Sequence, residues 1–205
     1  MAFTPRAVAE APLAALLDRR CRHRLPVAYC LGESYLAGLR FIADPRALVP
    51  RSPISHLVAE RLSTWWAEGR DPDVIVDVCC GGGSLGLIAA EAFPGSTVLL
   101  SDLDPQAISL AAENITLHHH SDRVFMLCAD LLAALRSGSA DVVLANPPYV
   151  SRGEMTELPP EYCHEPRMAL EADADGTELA VTLLRESVRV LAPDGLMLME
   201  VGETW

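Results

Sequence analysis

Between residues 73 and 201 the chain alternates five short apolar runs with amphipathic stretches, a pattern few folds can satisfy. The runs are DVIVDV (73–78), TVLLS (97–101), RVFMLC (123–128), DVVLA (141–145) and GLMLMEV (195–201). Each is nearly continuous in Val, Leu, Ile and Met, as expected of parallel strands covered on both faces. Residues 84–93, 105–117, 130–136 and 176–191 between and around them carry helical patterning. Strand and helix in turn predict a doubly wound α/β sheet.

Ahead of this region, residues 1–53 are expected to form a short helix and a hairpin, with the main domain over 54–205. The helix is placed at 6–24, begun or interrupted at Pro12, with Leu13, Leu16 and Leu17 along one stripe. The hairpin is placed at 33–49, turning near Asp44-Pro45, and a further helix at 54–67. At 205 residues there is room for one sizeable core. A net charge of −12 argues against a grip on bare nucleic acid, where Lys and Arg must neutralise phosphates, and suits a basic protein partner. The cysteines (21, 30, 79, 80, 128 and 163) include no Cys-x-x-Cys pair and read as reduced thiols of a cytoplasmic protein. Arg6, Glu10 and Asp18 interrupt any signal-like apolar core, and no stretch is long and apolar enough to cross a membrane.

The first strand runs into Asp77-Val78-Cys79-Cys80-Gly81-Gly82-Gly83-Ser84-Leu85-Gly86. Glycines there let the backbone turn sharply into a helix and approach a ligand closely. The loop satisfies Gly-x-Gly-x-x-Gly, so by itself it does not separate a dinucleotide from another adenosine cofactor. Asp77, six residues before Gly83, suits the amine end of a bound methionine better than a phosphate. Asp102 closes the second strand where a carboxylate can accept both ribose hydroxyls. Asp104, followed by Pro105, reads as a helix cap. Asp130 closes the third strand, where it meets an adenine amine or caps a helix. Leu103 and Leu131, next to these acids, join the expected cofactor contacts.

The fourth strand ends in Asn146-Pro147-Pro148-Tyr149, at the carboxyl end of a central strand, where such sheets place their chemistry. An amide nitrogen is a poor nucleophile because its lone pair is delocalised. The Asn146 side-chain oxygen and the Pro147 carbonyl can accept its two N–H groups, while Tyr149 packs on the flat group and the prolines stiffen the turn. A proline-rich loop capped by Asn is the bland alternative.

Asn146 to Tyr149 after DVCCGGGSLG resembles the HemK-type protein-glutamine methyltransferases, over roughly residues 14–203. LVPRSPISHLV (48–58), ELPPEYCHEP (157–166), Glu165-Pro166 and Glu200-x-Gly202 are similar to the branch acting on large-subunit ribosomal protein three rather than to the release-factor branch. The resemblance implies a class I S-adenosylmethionine-dependent methyltransferase sheet of Rossmann-like type. It implies Asp77, Gly81 and Gly83 around the methionine, Asp102 at the ribose and Asp130 by the adenine, with Cys79, Leu103, Leu131 and Asn146 as further cofactor contacts. Asn146, Pro147, Pro148, Tyr149 and Glu165 would meet the substrate, a glutamine of a basic ribosomal protein. S-adenosylhomocysteine would be the product.

Three departures stand out. Cys79 replaces the family's first loop glycine, the N-terminal helical region is reduced, and the family's last two strands are missing from this sequence. A partner, a dimer contact or an incomplete C-terminus would each account for the open sheet edge. A small metabolite or peptide, an exocyclic amine of a nucleic-acid base, and an inactive cofactor-binding subunit remain the competing expectations. His118-His119-His120 is read as a solvated helix end with no metal. Trp65-Trp66 is expected to bury one ring and expose the other. Arg51 is expected to meet cofactor, substrate or an acid, and His164 to orient substrate or make a structural hydrogen bond.

Overall fold

The computed structural model describes residues 10–66, 71–172 and 177–202. In chain order it runs α1 (Glu10–Cys21), α2 (Val27–Leu31), β1 (Glu33–Leu36), β2 (Leu39–Ile42), α3 (Ile54–Ala59), β3 (Val74–Val78), α4 (Ser84–Ala92), β4 (Thr97–Asp102), α5 (Pro105–Leu117), β5 (Val124–Cys128), β6 (Ala140–Ala145), α6 (Glu178–Val190) and β7 (Leu191–Met199). Three short 3-10 turns cross the segment between β6 and α6.

The apolar runs pair as one parallel sheet in the order β5-β4-β3-β6-β7. From β3 the chain winds outward through β4 to β5, then returns to the other side of β3 with β6. That reversal leaves a crevice outside the carboxyl ends of β3 and β6, the switch point where such sheets bind ligands.

Alternation along each strand divides the core. Ile75, Val98, Leu100, Val142 and Leu144 pack against Val58, Leu87, Ile88, Phe93, Ala111 and Ile115 on one face. Val76, Val78, Val143 and Ala145 pack against Leu132, Leu183 and Val190 on the other. Helix α6 buries Ala180, Leu183, Ser187 and Val190, a spacing that repeats one face of a 3.6-residue helix. Helix α5 starts as expected, with Pro105 in its first turn and the Asp104 carboxylate accepting the Gln106 N–H at 2.8 Å.

Several sequence expectations are corrected. The hairpin turns at Ala37-Gly38, not at Asp44-Pro45, because both residues take the positive φ (47° and 82°) that a two-residue primed turn requires. Asp44 instead accepts bonds from the Arg46 backbone and guanidinium after the hairpin has ended. Residues 130–136 form successive turns rather than a helix. Leu131 has φ 44°, the Leu132 N–H goes to Glu186 Oε2 at 2.8 Å, and Arg189 donates to the Leu132 carbonyl at 2.8 Å. Side chains of α6 thus hold both backbone groups of Leu132, including a carbonyl that a helix over this stretch would have paired internally.

The helix expected at 54–67 stops at Ala59, followed by Arg61 and Leu62 at positive φ; residue 67 lies outside the described residues. The helix placed at 6–24 is described only from Glu10, and its Leu13 and Leu17 are exposed rather than packed as a stripe. The last strand begins at Leu191, directly after α6. Trp65 is exposed and Trp66 packs on the core. No described helix is long and apolar enough to cross a membrane.

Candidate active site

At the end of β3 the backbone leaves the sheet through Cys79 (φ 57°), Gly81 (φ 54°) and Gly83 (φ 80°) and enters α4 at Ser84. Gly86 lets the helix lie directly on the strand. A Cβ there would sit 2.2 Å from Leu100 Cδ2 and 3.1 Å from Asp77 Cβ. That closeness lets the Gly86 N–H donate to Asp77 Oδ2 at 2.8 Å. Asp77 is 1% exposed, and its Oδ1 is buried with no hydrogen-bond partner among the described residues. Burial pushes its pKa up to about 7. An orphaned buried carboxylate oxygen is costly unless a cation meets it.

Across the loop, Asp102 ends β4 with Oδ2 accepting the Gly81 N–H at 2.8 Å and Oδ1 accepting the Asp104 N–H at 2.9 Å. Burial pushes its pKa upward as well. These bonds fix the carboxylate's orientation while leaving lone pairs on both oxygens for a ligand. One cavity joins Asp77, Cys79, Gly81, Asp102, Leu103, Asp130, Leu131, Asn146 and Pro148, with residues 46–52 on its far wall. Gly83, expected among the lining, lies beneath it. A Cβ on Gly83 would come 2.7 Å from Leu100 Cδ1, so its role is to let the loop close.

Asn146 follows the buried end of β6, and Pro147 is buried behind it. The Asn146 side-chain amide makes no hydrogen bond within the described residues. Tyr149 is outside the cavity lining; its hydroxyl donates to Glu200 Oε1 at 2.9 Å. Glu165, expected to meet substrate, has both oxygens engaged inside the protein. Oε2 accepts the Val49 N–H at 3.0 Å, and Oε1 is 2.6 Å from Arg51 Nη1, with the carboxylate side chain 2% exposed. The Arg51 guanidinium also lies 4.7 Å over the Tyr162 ring. Glu165 therefore straps the 48–52 wall to the segment that follows Tyr149.

One contributor escapes the sequence reading, and a second is marked there without its contacts. Buried Asn114, on α5, accepts the Ile42 N–H at 2.8 Å and donates to the Gly82 carbonyl at 2.9 Å, tying the hairpin to the glycine loop. Nothing in the local pattern of α5 marks it apart from being a polar residue on the buried stripe. Glu200 was noted as part of a resemblance, but its contacts with Ser52 and Tyr149 span 148 and 51 residues.

The remaining candidates are structural. His118 Nε2 lies 2.8 Å from the Arg40 carbonyl with its ring on Phe41, and His120 pairs with Glu91 at 2.9 Å. His164 Nε2 lies 2.7 Å from the His23 carbonyl.

The family model for the methyltransferase small domain matches residues 55–171, which hold the glycine loop, Asp102 and Asn146 to Tyr149. The chain belongs to the methyltransferase small domain family. Ribosomal protein uL3 glutamine methyltransferase of Bordetella pertussis is 40% identical over 187 residues, covering 91% of this chain and 63% of that protein. The protein of the same name from Xanthomonas campestris pv. campestris is 40% identical over 190 residues, covering 93% and 61%. This methyltransferase small domain chain thus spans about three fifths of the length of these curated relatives. Among solved structures, precorrin 8W decarboxylase of Methanobacterium thermoautotrophicum aligns with a TM-score of 0.50 at 23% identity, covering 78% of this chain and 68% of that one. A proposed S-adenosyl-L-methionine-dependent methyltransferase from Methanococcus maripaludis aligns at 0.50 and 14%, covering 98% and 68%. Both show the Rossmann-like methyltransferase fold that the strand order already describes.

Proposed function

We propose that this protein transfers a methyl group from S-adenosylmethionine to the side-chain amide nitrogen of a glutamine in a ribosomal protein, uL3 being the candidate its relatives' names suggest. The observation that carries the reading is the placing of Asn146, at the end of β6, on the same cavity as Asp77 and Asp102. The residues present fit the cofactor. The unpartnered Asp77 Oδ1 suits its ammonium group, Asp102 retains acceptor capacity for ribose hydroxyls, and Leu103 and Leu131 offer apolar contact beside Asp130 for the adenine.

When bound, the cofactor supplies an already activated sulfonium methyl. What this chain must add is position and a dry site. The Asn146 side-chain oxygen and the Pro147 carbonyl accept the two amide N–H groups of the substrate and hold its plane. The reaction releases one of those protons, which passes to solvent water; the Asn146 amide oxygen orients the N–H as a hydrogen-bond acceptor but is too weak a base to take the proton. Tyr149 packs on the flat group. The charge of −12 favours a basic polypeptide over a nucleic-acid base, and a ribosomal protein substrate implies the cytoplasm.

The test is transfer of labelled methyl from S-adenosylmethionine to purified uL3 and to whole ribosomal protein, with the modified residue located by mass spectrometry. Label on a glutamine, abolished by Asn146→Ala with cofactor affinity nearly intact, is the expected result. Label confined to RNA or to a small molecule would overturn the substrate. Turnover by Asn146→Ala would make the motif structural.

A further inference from the structure

The clasp around Tyr149 is built from three distant parts of the chain. Glu200 follows β7, which pairs with β6 so that Met199 lies opposite Ala145. The Glu200 N–H continues the ladder by donating to the Ala145 carbonyl at 2.9 Å. The backbone of Glu200 is thereby fixed one residue before Asn146, and its side chain lies over the turn that follows. Oε1 accepts the Tyr149 hydroxyl at 2.9 Å, and Oε2 accepts the Ser52 hydroxyl at 2.6 Å. Ser52 is itself buried, and its Oγ accepts the Ile54 N–H at 3.3 Å.

We propose that Glu200 is a positioning residue for methyl transfer, its carboxylate shared between Ser52 and Tyr149 so that the Tyr149 ring is held where the acceptor amide must pack. Hydroxyl-to-carboxylate bonds are among the stronger hydrogen bonds, and two of them leave the carboxylate no alternative orientation. A half-buried tyrosine next to a cavity-lining proline otherwise keeps rotamer freedom, and an aromatic platform that swings does not fix a plane. Burial, and next the bond to Glu200, push the Tyr149 pKa up to about 12, which keeps the hydroxyl protonated as the donor. Among the described residues the Glu200 carboxylate bonds Tyr149 and Ser52 and is not part of the cavity lining, so its action runs through Tyr149. This inference rests on the amide-methylation reading for its kinetic arm and on the clasp alone for its spectroscopic arm.

The experiment uses the full chain labelled with 3-fluorotyrosine, which contains four tyrosines. Tyr149→Phe identifies the Tyr149 fluorine resonance. Glu200→Ala is expected to shift or broaden that resonance alone, and Glu200→Gln, which keeps an acceptor oxygen, to restore most of it. In turnover assays Glu200→Ala should lower kcat by about tenfold or more with cofactor Kd changed less than about twofold, and Glu200→Gln should recover most of the loss. The double variant Tyr149→Phe/Glu200→Ala should be no worse than the more damaging single, since the two act as one unit. If Glu200→Ala does not fold, Ser52→Ala frees one side of the carboxylate and should move the same resonance, with a several-fold loss in kcat. A Tyr149 resonance unmoved by these variants, or kinetic losses that simply add, would overturn the proposal. Absence of turnover by the wild-type protein on every ribosomal protein would instead overturn the methylation reading and leave the resonance result to decide the clasp.

Discussion

Asp77 and Gly86 are joined by a 2.8 Å bond from the glycine N–H to one carboxylate oxygen, while the other oxygen is buried with no hydrogen-bond partner among the described residues. The geometry gives the carboxyl two opposite pH dependences. Its folded pKa is raised from 3.8 to about 7 by burial, so the folded protein holds a proton over a range in which the unfolded chain has lost it. This group therefore makes the ligand-free fold less stable as pH climbs from about 4 to about 7. Cofactor affinity runs the other way, because an ammonium group needs the carboxylate. Affinity should rise between about pH 6 and 7.5, by at most about tenfold per unit. Calorimetry across that window checks it, and a slope that persists in Asp77→Asn would remove the ammonium role.

Asp102→Ala should weaken cofactor binding by about 1.5–3 kcal/mol, the scale of hydrogen bonds to a charged group. Because Asp102 also holds the Gly81 and Asp104 N–H groups, a thermal melt of the same variant is needed beside the binding isotherm. Unchanged affinity in a folded variant would exclude the ribose contact.

Cys79 occupies a left-handed backbone position, φ 57°, which costs a side-chain-bearing residue about 1–2 kcal/mol. Cys79→Gly should release that strain, less the extra freedom glycine brings to the unfolded chain, for a net gain of about 0.5–1 kcal/mol in urea unfolding. A loss of stability would mean that the thiol's packing beside the cavity outweighs the strain. Burial, then the charges of Asp102, Asp77 and Asp130, push this thiol's pKa far up. Iodoacetamide should accordingly modify the exposed Cys21, Cys128 and Cys163 long before it reaches Cys79.

Glu165→Ala should destabilise the fold by about 2 kcal/mol, since it strands the Val49 N–H and the Arg51 guanidinium. Arg51 is 37% exposed, which lets water recover part of the loss. An unshifted urea midpoint would show that the 48–52 wall is held without this strap.

Much of the site was legible in local pattern. Asp77, Gly81, Asp102 and Asn146 lie at strand ends, and a parallel sheet brings its strand ends to one edge whatever the details of the loops. The Asp104-Pro105 cap was equally readable, because capping is a contact within three residues. The stretch 130–136 was not: its periodicity supports a helix, yet Glu186 and Arg189 of α6 take its backbone groups. The hairpin turn was misplaced because Asp-Pro is a frequent turn pair, whereas Ala37-Gly38 gives a weaker sequence signal.

By itself the sequence determined the doubly wound sheet, the strand-end acids and the Asn-Pro-Pro-Tyr turn after the fourth strand of the run, because periodicity, glycine placement and capping act over a few residues. Only the tertiary structure decided that Glu165 laces the 48–52 wall instead of standing open to substrate. It alone joined Ser52, Tyr149 and Glu200, and it alone left one oxygen of Asp77 without a partner. Those outcomes depend on which distant side chains meet once the sheet has closed, and on how much water is left between them. No local pattern records either quantity.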